Sequence, residues 1–535
     1  MKRILLSLSV LFAAILVGCI ENDLPMPVIE PRITSMQVDG ATEVFIDSEK
    51  RNVEITLNEQ TDISKVNITA VEFDNEQTKT SMEIVGSHDL SQKISVTLSI
   101  YQDYVWTISA TQNIQRYYTV EGQVGASEID DVNLRAVTYV TDKQDITDIT
   151  VTSLKLGPAD ITTYSPSIDK LKDFTHGQAV TVTAHGKSQK WMLYVEQTET
   201  LVEMKSVDAW TAVAWLKATG IAELDNGFKY RKKGTSAWFD VDKASIKTDG
   251  GAFSACIEGL EPTTEYECYA YSGENQTDIY EFTTEESRQM PNSGFEVFSK
   301  AESNKYYSFY DPASAIVENQ TKWWCSGNKG STTVGESRAI TIPDNQDKME
   351  GKHSVRLESQ WVIVKFAAGN IFVGEFAGLV GTKGGIVNFG RPFTLRPRKL
   401  VVWLKYNSGV IDRIDSVPDN DDVKLGDKDR GQVFIAVGDW DYRKFGGTPE
   451  SPVQVNTTDR STFFDPKSEG VIGYGSHIFT DSSDGWQRVE IPLEYVSTSR
   501  KPTHIIVSCA SSMLGDYFTG SSDSKLWVDG MELIY

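Results

Sequence analysis

Asp62-Ile63-Ser64-Lys65-Val66-Asn67-Ile68-Thr69-Ala70-Val71 returns further along the chain as Asp145-Ile146-Thr147-Asp148-Ile149-Thr150-Val151-Thr152-Ser153-Leu154. The match continues at nearly the same shift: Asp89-Leu90-Ser91, Val96-Thr97, Trp106 and Gln112 recur as Asp173-Phe174-Thr175, Val180-Thr181, Trp191 and Gln197. Residues 30–118 and 119–200 therefore read as duplicated domains. Both alternate apolar and polar residues with many β-branched side chains, as in Val53-Glu54-Ile55-Thr56-Leu57. A period of two puts one set of side chains on a core face and the other in water, the mark of half-buried antiparallel strands.

Domains of about 85 residues have the size of an immunoglobulin-like β-sandwich, and spacing is the role expected of this pair. A third module of similar size runs over 201–286. In it Leu260-Glu261-Pro262-Thr263-Thr264-Glu265-Tyr266, followed by Cys268 and Ala270, resembles the corner between two strands of fibronectin type III domains. Pro262 stops one strand, while Tyr266 is expected to bury its ring and bond its hydroxyl back to the turn. Glu285 to Pro291 reads as a linker. From 290 to 535 the character changes: most of the tryptophans lie here, with long Gly-rich loops and no useful helical period. Val401-Val402-Trp403-Leu404, Val433-Phe434-Ile435-Ala436-Val437 and Ile505-Ile506-Val507 read as strands buried on both faces. The fold class is all-β: tandem immunoglobulin- and fibronectin-like sandwiches followed by a large jelly roll.

The chain has 535 residues and a formal charge of -23, from 52 Lys and Arg against 75 Asp and Glu. No basic stripe is present to neutralise phosphates, so a nucleic-acid partner is not expected. Residues 1–18 carry Lys2 and Arg3 and then an apolar run too short to span a bilayer, which reads as a secretory signal. Leu16-Val17-Gly18-Cys19 has the form of a lipobox, making Cys19 the expected lipidated N-terminus of the mature chain, anchored to a membrane by its acyl chains. Residues 19–29 form an acidic, Pro-containing tether that resembles the export signals of Bacteroides-type surface lipoproteins. An outer-membrane lipoprotein displayed at the cell surface is the expected location. In that oxidising setting Cys256 and Cys268 are expected to be free thiols, because strand alternation sends them to different faces; a pairing of Cys325 with Cys509 stays open.

Three segments of the C-terminal region go together: Asn292-Ser293-Gly294-Phe295-Glu296, Gly351-Lys352-His353-Ser354-Val355-Arg356-Leu357 and Lys525-Leu526-Trp527-Val528-Asp529. The triple resembles jelly-roll carbohydrate-binding modules. Phe372-Val373-Gly374 to Gly378, Phe389-Gly390-Arg391-Pro392-Phe393 with Arg396-Pro397, Lys405-Tyr406 and Gly520-Ser521-Ser522 are more specific, and look like the PCMD family. This putative carbohydrate metabolism domain occurs in surface lipoproteins associated with polysaccharide use. The resemblance covers roughly 290–535, implies a glycan context, and brings no established catalytic residues.

Sugar recognition needs flat aromatic faces with amides or carboxylates beside them. Trp440, following a buried strand, is expected to emerge on a loop with Asp439, Asp441, Tyr442 and Arg443 around it, and is the preferred ligand site. Trp323 and Trp324 come next, since neighbours on a strand point to opposite faces. Trp403 and Trp527 read as core, and Trp486 as either. Glu296 and Asp529, on the first and last strands, are candidate ligands for a structural Ca²⁺; no other cofactor is expected. The expected ligand is a polysaccharide or oligosaccharide, with other surface glycan-uptake proteins as further partners. Two alternatives remain. Asp439 and Asp441 could form the carboxylate pair of a glycoside hydrolase, or the chain could be an adhesin-like or structural lipoprotein. The six His form no H-E-x-x-H, and neither a G-x-S-x-G elbow nor a phosphate-binding Gly-rich loop occurs.

Overall fold

The computed structural model describes residues 28–314, 322–333, 338–362, 365–418 and 421–535; the signal, Cys19 and most of the tether lie outside them. Among the described residues every extended element is a β-strand, and the helices are single turns such as Asn328–Ser331 and Tyr442–Phe445. Among the described residues no helix is long and apolar enough to cross a membrane. Two compact units divide at Asn113/Ile114. The break precedes residue 118, because Tyr117–Val120 pairs with Val151–Lys155 and Tyr118 is fully buried in the core of the second sandwich.

The first unit packs Ile33–Val38, Val66–Phe73 and Gly86–His88 against a five-stranded sheet in which Asn52–Leu57 runs parallel to Asp103–Gln112. Val53, Ile55, Leu57, Val96, Trp106 and Ile108 fill its core, all from the apolar positions of the alternation. In the second unit the first sandwich repeats the same device: Arg135–Thr141 runs parallel to Lys187–Thr198, and Trp191 takes the fully buried place of Trp106. The shared polar residues close shared turns. Asp62 and Asp145 accept from the amides of Ser64 and Thr147 at 3.0 and 2.9 Å. Asp89 and Asp173 do the same for Ser91 and Thr175 at 3.0 Å. Gln112 and Gln197 each donate to two loop carbonyls. The repeat is thus a conserved set of strand faces and turn caps.

The module over 201–286 is a sandwich of Glu203–Ala209, Val213–Thr219, Ala252–Glu258 and Lys247–Asp249 against a second sheet built on Asn226–Lys232 and Glu265–Ser272. Its corner is formed as expected: the Tyr266 ring is buried and its hydroxyl accepts from the Glu261 amide at 3.0 Å. Cys256 and Cys268 are free thiols on the two different sheets, Cys268 in the core between them and Cys256 turned away from it, and the buried Cys325 and Cys509 are free as well. The last two cannot meet, since Cys325 packs on one face of a sheet and Cys509 on the other.

The sandwiches of the second unit are joined without slack. Gly125 of the 119–200 module donates to Gly220 at 2.8 Å and accepts from Gly251 at 3.1 Å, both in the 201–286 module, where Gly220 in turn donates to Gly251 at 2.7 Å. A Cβ on Gly251 would lie 2.3 Å from the Gly125 nitrogen, so only glycine permits this approach. The expected linker 285–291 is packed too. Arg396, 2 % exposed, pairs with Glu285 at 2.8 Å, donates to the carbonyls of Ala209 and Thr498 and lies 4.9 Å from the Trp210 ring. Gln289 exchanges two hydrogen bonds with the Leu533 backbone, and Met290 enters the C-terminal core.

That C-terminal domain is a jelly-roll sandwich. Thr341–Asp344, Ser354–Glu358, Lys525–Ile534, Lys399–Asn407 and Gln487–Pro492 form one sheet. Val453–Asn456, Gly384–Phe389, Asn370–Val380, His504–Ala510, Gly431–Gly438 and Val471–Phe479 form the main path of the other. Between them lie Val355, Leu357, Val402, Leu404, Leu526 and Val528 against Val433, Ile435, Val437, Ile505 and Val507. The far face of the larger sheet is covered as well: Phe372, Phe389, Ala436, Val455 and Ile506 of its own strands pack there with Trp440, Phe445, Phe463 and Phe464 from outside them, which explains the unbroken apolar runs at 433–437 and 505–507. Lys399–Asn407 differs: Trp403 turns away from the core between Val402 and Leu404.

Candidate functional site

The loop singled out in the sequence does not present its tryptophan to solvent. Trp440 is 4 % exposed and belongs to the cluster on the far face of the larger sheet. Its ring fills space left by two glycines: a Cβ on Gly470 would lie 2.2 Å from it, and one on Gly438 2.7 Å. The chain turns back over the sheet here, so the ring folds inward. Asp439 pairs with Arg500 at 2.6 Å, whereas Asp441 caps the turn Tyr442–Phe445 by accepting from the Arg443 amide at 3.0 Å. The two carboxylates thus serve different partners instead of flanking a substrate. Arg443 stacks over Tyr442 at the surface, 5.5 Å from the ring centroid.

The remaining tryptophans also have assigned places. Trp403 and Trp527, expected in the core, are half-buried on the outer face of the smaller sheet. Trp527 donates its indole N–H to Asp344 at 3.1 Å, and Trp486 donates to Asp347 at 3.0 Å. Both clamp the loop that runs from Asp344 to His353. The supposed Ca²⁺ ligands hold the same loop: Glu296 accepts from the amides of Lys352 and His353, and Asp529 from those of Met349, Glu350 and Gly530 at 2.8 to 2.9 Å. Burial pushes the Asp529 carboxyl above the usual carboxylate range, against the opposing pull of those amides. A hard cation wants oxygens, but these carboxylates are filled by N–H donors. Among the described residues no group of three or more His, Cys, Asp and Glu could hold a metal ion.

Where the domain does open is beside Trp324. A cavity of about 440 Å³ is lined by Glu302, Tyr306, Tyr307, Ser308, Phe309, Lys322, Trp324, Cys325, Ser326, Lys329, Glu375, Phe376 and Arg391. Its floor is built from the motif segments. Trp324–Cys325 pairs with Phe372 and Val373 of the long strand Asn370–Val380, which continues into Glu375 and Phe376. Gly374 must be glycine, because its φ is +152° and a Cβ there would lie 2.2 Å from the Asn388 carbonyl. Arg391 is buried and spends its guanidinium on the carbonyls of Lys322, Gly374 and Gly390 and on the Ser451 hydroxyl. It fastens the strands beneath the floor. Trp324 is 1 % exposed and donates to the Pro291 carbonyl at 2.9 Å, while Trp323 packs half-buried against the main core. Neither tryptophan of this pair leaves the protein.

The opposite wall comes from the irregular segment around Tyr306 and Tyr307. Tyr307 is held edge-on by Phe298, 5.3 Å between centroids. Glu302 accepts from Lys322 at 2.7 Å and from the Ser308 hydroxyl. Burial alone would raise its carboxyl, but these two donors outweigh it and hold the group below the usual range. Glu375 accepts from Asn388 at 3.0 Å and Thr448 at 3.2 Å. Burial pushes the Cys325 thiol up, so it stays protonated. The cavity therefore offers aromatic faces, fixed acceptors and ammonium donors. Sequence reasoning reached it only through Trp324; the four aromatics within Tyr306-Tyr307-Ser308-Phe309-Tyr310 were the available signal for the rest.

No curated protein matches the chain. Among solved structures, one described as a putative glycoside hydrolase from Bacteroides thetaiotaomicron is 16 % identical, covers 78 % of this chain and 95 % of its own, and has a TM-score of 0.30. A second so described, from Bacteroides vulgatus, is 20 % identical, covers 45 % and 96 %, and scores 0.34. A surface glycan-binding protein from Prevotella bryantii is 9 % identical, covers 95 % and 99 %, and scores 0.18. None of these reaches a level that speaks to activity. The family comparison is more direct: residues 294–534, the domain that holds the cavity, match the family described as putative carbohydrate metabolism domain.

Proposed function

We propose that the protein is a surface-anchored lipoprotein that binds polysaccharide in the cavity of its C-terminal domain and so supports glycan acquisition. The observation that carries the reading is that the PCMD motif segments build the floor of a cavity whose walls are tyrosine, phenylalanine and hydrogen-bonding side chains. Such a lining suits a sugar, whose C–H faces pack on aromatic rings while its hydroxyls meet fixed polar groups. Binding is favoured over hydrolysis, because a glycosidase needs one carboxyl with a raised pKa and Glu302 is held ionised by Lys322 and Ser308.

Affinity electrophoresis of the mature chain through polysaccharide gels tests this. Retardation is expected with at least one glycan, and Tyr306→Ala/Tyr307→Ala should weaken it about tenfold or more, the loss of two stacking faces worth ~0.5–1.5 kcal/mol each beyond buried area. Equal retardation of the double variant would move the site elsewhere, and no retardation in any glycan would reject binding. The anchor is tested separately. Cells fed labelled palmitate should label the wild-type chain but not Cys19→Ala; equal labelling, or none in either, would remove the lipid tether from the reading.

A further inference from the structure

The charge around the cavity runs against that of the chain. Over the whole sequence acidic residues outnumber basic ones by 75 to 52, yet Lys322, Lys329 and Arg391 face Glu302 and Glu375 in the cavity wall. Two further lysines stand beside it: the Lys300 ammonium lies 4.9 Å from the Tyr307 ring centroid, and Lys305 donates to the Thr332 carbonyl at 3.0 Å. Most of this charge is already occupied. Lys322 cancels Glu302, and Arg391 is consumed by the strands beneath the floor. Lys329 is different. Its side chain is exposed at the cavity and, among the described residues, is in no ion pair, although its charge helps Lys322 draw the Glu302 carboxyl down.

We infer, resting on the reading of this cavity as a glycan site, that its ligand is an anionic saccharide whose sugar ring packs on Tyr306 and Tyr307 while its acidic group meets the ammonium of Lys329. Lysine suits this task as a compact point charge that can pair with a carboxylate or a sulfate without demanding one geometry. The half-apolar wall strengthens the contact, because a charge-assisted hydrogen bond gains as water is excluded. The overall negative charge of the protein would repel a polyanion at long range. At physiological salt that repulsion is screened beyond about 8 Å, so the lysines at the mouth decide what enters.

The test compares probes that differ in charge alone, using the mature full-length chain at physiological salt. Polygalacturonate is measured against the same polymer fully methyl-esterified, and dextran sulfate against dextran. Wild-type protein should bind a charged member of one pair at least tenfold more tightly than its neutral counterpart. The pair that shows the difference identifies the group as carboxylate or sulfate. Lys329→Ala should erase about tenfold of the preference, the size expected of one hydrogen bond to a charged group, and Lys329→Arg should restore most of it. Because the side chain is exposed, an unchanged thermal transition should accompany the loss. Equal binding of charged and neutral members, sensitive to the Tyr306/Tyr307 double variant, would overturn the anionic ligand and leave the glycan site standing. A charge preference that Lys329→Ala does not alter would overturn the role of Lys329. Failure to bind any charged or neutral glycan, with the double variant indistinguishable from wild type, would overturn the glycan site itself.

Discussion

Trp440→Ala should destabilise the C-terminal domain by about 3–5 kcal/mol, the range for truncating a large aromatic in a packed core. The indole is 4 % exposed and is packed against Gly438 and Gly470, which have no side chains with which to refill the space. Phe464 stands edge-on to it at 6.4 Å, and its removal would leave that ring with nothing on one side. The cost is not fully that of burying a satisfied group, since the indole N–H has no hydrogen-bond partner among the described residues. Trp440→Phe should therefore recover much of the loss. Chemical denaturation of wild type and both variants measures this. A Trp440→Ala protein with unchanged stability and lost glycan binding would restore the exposed aromatic platform that the sequence suggests.

The second large effect is expected at Arg396. Alanine there removes one member of a buried ion pair and strands Glu285, which is 11 % exposed; breaking such a pair from one side costs roughly 3–5 kcal/mol. Lys501, 3.3 Å from the same carboxylate, offsets part of this, so the lower end is expected. The loss also releases the carbonyls of Ala209 and Thr498 and the stacking on Trp210. Because these contacts belong to two domains, calorimetry should show the transition of the 201–286 module parting from that of the C-terminal domain. Arg396→Lys should not restore it, since an ammonium lacks the planar fork that reaches all three oxygen partners. A single unchanged transition in Arg396→Ala would show that the joint does not depend on this residue.

The all-β class was legible wherever local periodicity and burial agree. Val53-Glu54-Ile55-Thr56-Leu57 alternates because one face is solvated, and Val433 to Val437 does not because both are covered. Tyr266 was readable because its corner is closed within a few residues. Trp440 was not. Whether a ring after a strand enters water or folds back depends on the sheet face it meets, and here that face is built by Val453, Val455 and Val471, from strands other than the one that Trp440 follows. Trp403 and Trp527 misled in the other direction, since an apolar run hid the alternation that turns them outward. Glu302, Tyr306 and Tyr307 lie in a segment without period, and only the tertiary fold sets them against Glu375 and Arg391.

The glycine triangle of Gly125, Gly220 and Gly251 and the Arg396 joint have a consequence for the thermodynamics of capture. A carrier made of beads on flexible links must give up orientational freedom when one bead seizes a long polymer, and that loss is subtracted from the affinity. From residue 114 to the C-terminus the joints are already fixed by hydrogen bonds and a buried ion pair. The freedom is surrendered once, during folding, instead of at every encounter. The same stiffness means that the cavity cannot swing towards a distant strand of glycan by bending at these joints. On the reading proposed above, the polymer is the partner that bends.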